Sequence, residues 1–292
     1  MQSVCVDAVM LESRAGELAG RSIKGETKRA WIDLAISCID LTTLEGRDSP
    51  GRVRSLCAKA RAPLPGSDAP AVAAVCLYPN LVGIARYALR GSTVRVASVA
   101  TAFPAGQADL SVKLADTEQA LEAGADEIDM VIDRGAFLSG DERRVAAEIA
   151  AVKARCADRH LKVILETGEL GSYTAIRRAC DIALEAGADT IKSSTGKIGI
   201  NSTFPTALAM CDALAAFYRR TGLRRGLKLA GGIRTTKQAL GYLAILNETL
   251  GTSWMTPTLF RLGASALLDD LLLQRERVRT GHYTRPERIP KD

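Results

Sequence analysis

Two segments of the chain, Leu121-Glu-Ala-Gly-Ala-Asp-Glu-Ile-Asp-Met130 and Leu184-Glu-Ala-Gly-Ala-Asp-Thr-Ile-Lys-Ser193, are identical at seven of ten positions. Each reads as the last turn of a helix, a glycine suited to the left-handed conformation that ends it, a two-residue link, and then a strand. Convergence on a good helix-to-strand turn would explain the likeness by itself. The alignment nevertheless superposes Asp129 on Lys192.

Outward from this pair, short apolar runs alternate with amphipathic stretches. The runs are 36–40, 71–78, 94–99, 127–133, 161–166, 190–194, 227–230 and 259–263, and helical stretches such as Asp141 to Cys156 and Thr235 to Leu250 lie between them. The spacing of roughly 25 to 40 residues fits a strand plus a crossover helix. Eight such units in 292 residues predict an α/β fold, a single-domain (β/α)8 TIM barrel. A doubly wound open sheet is the alternative, but no G-x-G-x-x-G follows the first strand. The expected organisation is an N-terminal helical extension over 1–30, the barrel over 31–275 and a basic C-terminal tail over 276–292.

In a barrel, alternate strands place inward side chains in the same layer. With the repeats as strands four and six, Asp129 and Lys192 lie at similar depth. Ile128 and Met130 flank Asp129, Ile191 precedes Lys192, Leu227 and Leu229 flank Lys228, and Ile39 and Leu41 flank Asp40. Apolar flanks face the helices, so four strands each aim one ionisable group into an interior expected to be otherwise apolar.

Composition narrows the chemistry. The chain is 47% hydrophobic and 25% charged, as in ordinary globular proteins, and no apolar run is long enough to suggest a membrane span. Early acidic residues (Asp7, Glu12, Glu17) argue against a targeting peptide and give a cytoplasmic expectation. Only two histidines, His160 and His282, are present and they are far apart, which disfavours zinc centres and Ser-His-Asp catalysis; no metal and no cofactor are expected. Seven dispersed cysteines without a C-x-x-C pair read as reduced thiols. Of the net charge of +6, half comes from 275–292, where six basic residues face three acidic ones. Only Tyr283 is available there for stacking and no recognition motif accompanies it, so a solvated tail is preferred to a nucleic-acid site.

Buried lysine demands a partner, and Lys192 and Lys228 could simply satisfy Asp129 and Asp40. Keeping such pairs where apolar residues would serve asks for a further reason. Desolvation and a neighbouring cation both lower an amine's pKa, and a neutral amine can attack a carbonyl to form an iminium. Asp129 would move protons. For an anionic substrate, Gly231-Gly232 follows strand seven and Gly263-Ala264-Ser265 follows strand eight, where barrels often hold phosphate on backbone N–H groups. Ser265 could cap the next helix, and Arg234 could supply charge.

Several segments together resemble the deoxyribose-phosphate aldolase family: Asp40-Leu-Thr-Thr-Leu, Val75-Cys-Leu-Tyr-Pro, Phe103-Pro-Ala-Gly, Leu161-Lys-Val-Ile-Leu-Glu-Thr-Gly-Glu-Leu, Ile191-Lys-Ser-Ser-Thr-Gly-Lys, Ala230-Gly-Gly-Ile-Arg and Arg261-Leu-Gly-Ala-Ser. The likeness runs from about Asp33 to Leu272. It implies a metal-free Schiff-base aldolase that reversibly cleaves 2-deoxy-D-ribose 5-phosphate to acetaldehyde and D-glyceraldehyde 3-phosphate, working as a homo-oligomer, a dimer. Carried over by position, the Schiff-base lysine is Lys192, the lysine that lowers its pKa is Lys228, and the proton-relay aspartate is Asp129. Asp40, Thr42, Cys76 and Lys197 fall on substrate-binding positions, and Gly196, Gly231, Gly232 and Ser265 on phosphate loops. Leu229 stands where the family often has proline, and Ala266 replaces a frequent second serine. The family can end in a tyrosine that reaches the active site, whereas this chain continues from Tyr283 to Asp292. A class I aldolase of the same fold acting on another sugar phosphate is the alternative. A pyridoxal-phosphate enzyme and a catalytically silent binding barrel are less favoured readings.

Overall fold

The computed structural model describes residues 4–282 together with Arg285, Glu287, Ile289 and Pro290. Its strands are β1 (Ile39–Thr42), β2 (Ala74–Leu77), β3 (Arg95–Ala100), β4 (Glu127–Val131), β5 (His160–Ile164), β6 (Thr190–Lys192), β7 (Gly226–Ala230) and β8 (Phe260–Ala264). Each pairs in parallel with the next, and β8 returns to β1 to close the barrel. The helices are α1 (Ala8–Ala19), α2 (Gly25–Ser37), α3 (Pro50–Arg61), α4 (Val82–Ala88), α5 (Leu110–Glu122), α6 (Arg134–Leu138), α7 (Glu142–Cys156), α8 (Tyr173–Glu185), α9 (Phe204–Thr221), α10 (Thr236–Leu250) and α11 (Leu267–Thr280). This is the (β/α)8 barrel expected from the alternation. Among the described residues no helix is long and apolar enough to cross a membrane.

Local chemistry explains the boundaries. Asp141 and Thr235, read from sequence as first helical residues, are instead N-caps whose side chains accept from the Arg144 and Gln238 N–H groups. Gly124 and Gly187 both take φ near +100°, so the repeated turn has the same backbone twice. The first strand begins three residues later than expected. Ile32, Ala35 and Ile36 recur at helical spacing and form the buried face of α2, which absorbs the apolar run. The boundaries drawn after residues 30 and 275 both fall inside helices. α2 spans the first, and α11 carries the barrel to Thr280. Arg275, counted with the tail charges, is a buried barrel residue whose guanidinium pairs with Asp33 at 2.5 Å and Asp68 at 2.8 Å. Tyr283 lies outside the described residues.

Strand alternation divides the core into two layers. Ile39, Val75, Ile128, Met130, Leu161, Val163, Ile191, Leu227, Leu229 and Leu262 belong to the main apolar cluster with the helices. Inside the barrel the apolar cluster is small: Leu44, Cys76, Ala97 and Val99. The rest of the interior departs from expectation, because Glu127, Lys162 and Arg261 are buried there beside Asp40, Asp129, Lys192 and Lys228. The pattern is the one that placed the first four groups, since Lys162 lies between Leu161 and Val163, and Arg261 between Phe260 and Leu262.

Candidate active site

Register sets the depth of the charged groups. Asp129 pairs with Lys162, Lys192 with Lys228, and Lys228 with Arg261 across adjacent strands. The three inward lysines converge on Asp129. Its Oδ2 accepts hydrogen bonds from Lys192 Nζ and Lys228 Nζ, each at 2.7 Å, and its Oδ1 accepts one from Lys162 Nζ at 2.8 Å. Lys228 also meets Asp40 Oδ2 at 2.5 Å. A deeper tier holds these groups in turn: Lys162 lies 2.5 Å from Glu127, and Arg261 bridges Glu127 at 2.8 Å and Asp40 at 2.5 Å. Gly263 makes room for this arrangement, since a Cβ there would sit 2.9 Å from the Ala230 Cβ and 3.2 Å from Lys228 Cε.

Three carboxylates thus face four basic groups, so the network is neutral when one base gives up its proton. The surroundings select which one. Burial opposes charge on Lys228, yet Asp129 and Asp40 override it and hold the amine above its ordinary value. Lys162 is likewise held up, against burial, by Asp129, Glu127 and Asp40, and Arg261 by Asp40 and Glu127. For Lys192, burial wins: with the Lys228 ammonium adding to it and Asp129 opposing, the amine falls below its ordinary range. Asp129 sits well below the usual carboxylate range because the Lys162, Lys192 and Lys228 ammonium groups outweigh its burial. Glu127 is lowered to about 2, the Lys162 and Arg261 charges overcoming its desolvation.

Lys192 is also the group of the charged cluster that lines the cavity at the C-terminal mouth of the barrel. This cavity of about 250 Å³ is bordered by Thr42, Thr195, Gly196, Lys197, Gly231, Gly232, Arg234 and Ser265 as well. Eight of the twelve residues singled out from sequence therefore border one space. The other four, Asp40, Cys76, Asp129 and Lys228, lie buried beneath it. Cys76 is buried with its Sγ 3.9 Å from Asp129 Oδ2, and burial raises its thiol pKa. Gly231 and Gly232 both have positive φ, and a Cβ on Gly231 would fall 2.2 Å from Asn201 Oδ1. One expectation fails: Ser265 does not cap α11. The N-cap is Ala266 without a side-chain bond, which leaves the N–H groups of the first turn free of side-chain caps where the helix meets the cavity.

Two further residues at the mouth escaped the sequence reading. Glu45 meets Lys197 Nζ at 2.8 Å, joining the β1–α3 and β6–α9 loops, and Arg52 of α3 lines the wall with Nε bonded to Thr43 Oγ1 at 3.2 Å. Both are loop or first-turn helix positions with no strand periodicity to mark them. Lys162, Glu127 and Arg261, by contrast, were within reach of the alternation argument.

A carboxylate flanked by amines, one of them held below its ordinary pKa by burial and facing a cavity with N–H groups and cations at its rim, suits covalent chemistry on a carbonyl carried by an anionic molecule. Comparison with known proteins agrees. Residues 34–247 match the DeoC/LacD family aldolase. The deoxyribose-phosphate aldolase of Mus musculus is 44% identical over 283 residues, covering 93% of this chain and 89% of the mouse protein. Among solved structures, a putative deoxyribose-phosphate aldolase from Coccidioides immitis superposes with a TM-score of 0.71 at 25% identity, covering 92% of this chain and 99% of that one. The deoxyribose phosphate aldolase of Aeropyrum pernix, described as a unique tetramer, gives 0.63 at 25% identity, covering 95% of this chain and 100% of its own. The chain is an aldolase, a carbon–carbon lyase, and belongs to the DeoC/LacD family.

Proposed function

We propose that this chain cleaves 2-deoxy-D-ribose 5-phosphate reversibly to acetaldehyde and D-glyceraldehyde 3-phosphate through an iminium on Lys192, without a metal or cofactor. The observation that carries the reading is Lys192 itself, 3% exposed at the floor of the cavity and sharing one Asp129 oxygen with Lys228. The neutral amine attacks C1 of the open-chain aldehyde, and the carbinolamine loses water to give the iminium. The C3 hydroxyl gives up its proton toward Asp129 through water, the C2–C3 bond breaks, and its electrons neutralise the iminium as an enamine. Glyceraldehyde 3-phosphate leaves, C2 takes a proton, and water returns to hydrolyse the imine and free acetaldehyde. The net reaction consumes no water.

In this reading Lys228 stays charged and keeps Lys192 uncharged. Gly196, Gly231, Gly232, the start of α11 beside Ser265, and Arg234 receive the phosphate, Lys197 serves both the phosphate and the sugar hydroxyls, Thr42 faces the sugar, and Asp40 and Cys76 support the floor. Support comes from the shared cavity and from the relatives' names, which specify this substrate. Borohydride added with deoxyribose 5-phosphate is expected to fix a covalent adduct on Lys192, seen by peptide mass mapping. An adduct on Lys197 would overturn the assignment of roles, and no adduct the mechanism. Turnover is expected to resist chelators. The reading also carries a homodimer and a cytoplasmic location, tested by sedimentation and by imaging of a tagged chain; a tetramer like that described for the Aeropyrum pernix protein would displace the dimer.

A further inference from the structure

Glu166 lies just beyond β5, is fully buried, and has a left-handed backbone with φ 55° and ψ 56°, which an L-residue adopts at a cost. Around it the strand ladder continues: the Leu165 N–H donates to Lys192 O and the Thr167 N–H to Ser193 O, both at 2.9 Å. Beyond Ser193 the backbone pairing stops and the Glu166 side chain takes over. Oε1 accepts from Ser194 Oγ at 2.7 Å and from the Thr195 N–H at 3.0 Å. Oε2 accepts from Thr195 Oγ1 at 2.5 Å and from Arg134 at 3.4 Å. Thr195 Oγ1 in turn accepts the Lys197 N–H at 3.0 Å. Arg134 is itself fixed by Pro104 O at 3.0 Å and by Glu169 at 2.8 Å.

All four contacts bring hydrogens to the carboxylate, and two of the donors, the Thr195 N–H and the Arg134 guanidinium, cannot become acceptors. The segment held this way, Thr195-Gly196-Lys197, borders the cavity, with Gly196 at φ +79°. We propose that Glu166 is a positioning residue that fixes this segment so that the Gly196 backbone and the Lys197 side chain meet the substrate phosphate. A buried charge on a strained backbone is then explained by what it orders. Glu166 itself does not border the cavity and acts through Thr195.

The inference rests on the sugar-phosphate reading above, and the test separates the two. In Glu166→Gln the carboxamide NH2 must face a donor. The full chain and this variant are compared on deoxyribose 5-phosphate and on unphosphorylated 2-deoxyribose, with inorganic phosphate as a competing ligand. KM for the phosphorylated sugar and Ki for phosphate are expected to rise by roughly tenfold. For the same variant kcat is expected to hold within about twofold, and kcat/KM on 2-deoxyribose to change as little. Equal losses on both sugars, or no change on either, would overturn the proposal. Thr195→Val cuts the same link from its other end and carries the test alone if Glu166→Gln does not fold. Combined, the two effects are expected to fall short of multiplying, and full multiplication would count against a shared path. A wild-type chain that cleaves neither sugar sinks the underlying reading instead.

Discussion

Replacing Lys228 by methionine should convert the enzyme into one that works only in alkaline solution. The Nζ atoms of Lys192 and Lys228 each lie 2.7 Å from Asp129 Oδ2, so they are at most twice that apart, about 5.4 Å. At an effective dielectric of about 20, two unit positive charges at that separation repel by roughly 3 kcal/mol, equivalent to about two pKa units. Removing the Lys228 ammonium lifts that repulsion, so Lys192 holds its proton more tightly and its pKa rises. The interior count points the same way: three carboxylates would face Lys162, Arg261 and Lys192, and neutrality then requires Lys192 to be charged. The acid limb of kcat/KM should move up by about two pH units, with a loss near 100-fold at neutral pH that is recovered as the solution is made basic. The assay is initial-rate cleavage across the alkaline range, with near-ultraviolet circular dichroism to confirm the fold; Asp40 keeps Arg261 as its partner in the variant. A loss of the same size at every pH, with the limb unmoved, would refute the electrostatic role and make Lys228 a direct proton carrier.

Other expectations bear on phosphate binding and stability. Gly231→Ala puts a Cβ against Asn201 in a left-handed backbone, so KM for the phosphorylated sugar should rise at least about tenfold while Lys192 can still be trapped by borohydride. An untrapped lysine would show damage beyond the loop. Burial, with the Lys162 ammonium adding to it, pushes the His160 imidazole down from 6.5 to about 4. Its folded pKa is the lower one, so its contribution is complete above pH 6.5 and is lost as the pH falls through 4, about 3 kcal/mol in all. Urea midpoints of His160→Gln should therefore decline less between those limits than those of the wild type; parallel declines would assign the acid sensitivity elsewhere. Lys113→Met breaks the buried 2.6 Å ion pair to Glu148 between α5 and α7, at about 3 kcal/mol of stability. Thermal unfolding should show that loss without a change in kcat, because neither residue borders the cavity.

Period-two alternation, a helix-ending glycine and the crossover spacing are local signals, so the eight strands and the depth of Asp129, Lys192 and Lys228 were legible in the chain. The first strand was displaced because Ile36 serves a helix as readily as a strand, and only packing of α2 on the barrel decides between them. Lys162 and Arg261 carried the same alternation as Lys192 but were left out of the interior, since an apolar barrel was the expectation. Glu166 could not be found in this way. Its role depends on a left-handed turn and on donors from the loop after β6, 28 and 29 residues further on, and neither leaves a periodic mark. The failure at Ser265 has a similar origin, because a serine before a helix suggests a cap and only the backbone shows that Ala266 takes that position.

The division of the core into an apolar shell and a charged centre has an engineering consequence. Because oil-like packing between strands and helices supplies the folding energy, the central ions form a cassette that could be exchanged as a unit. Swapping all seven interior ionisable residues together for shape-matched aliphatic ones should give a barrel at least as durable as the parent and wholly inert. Removing one carboxylate alone would strand its cations. Evolution of new activities on this scaffold is therefore constrained less by fold stability than by the need to change charges in compensating sets.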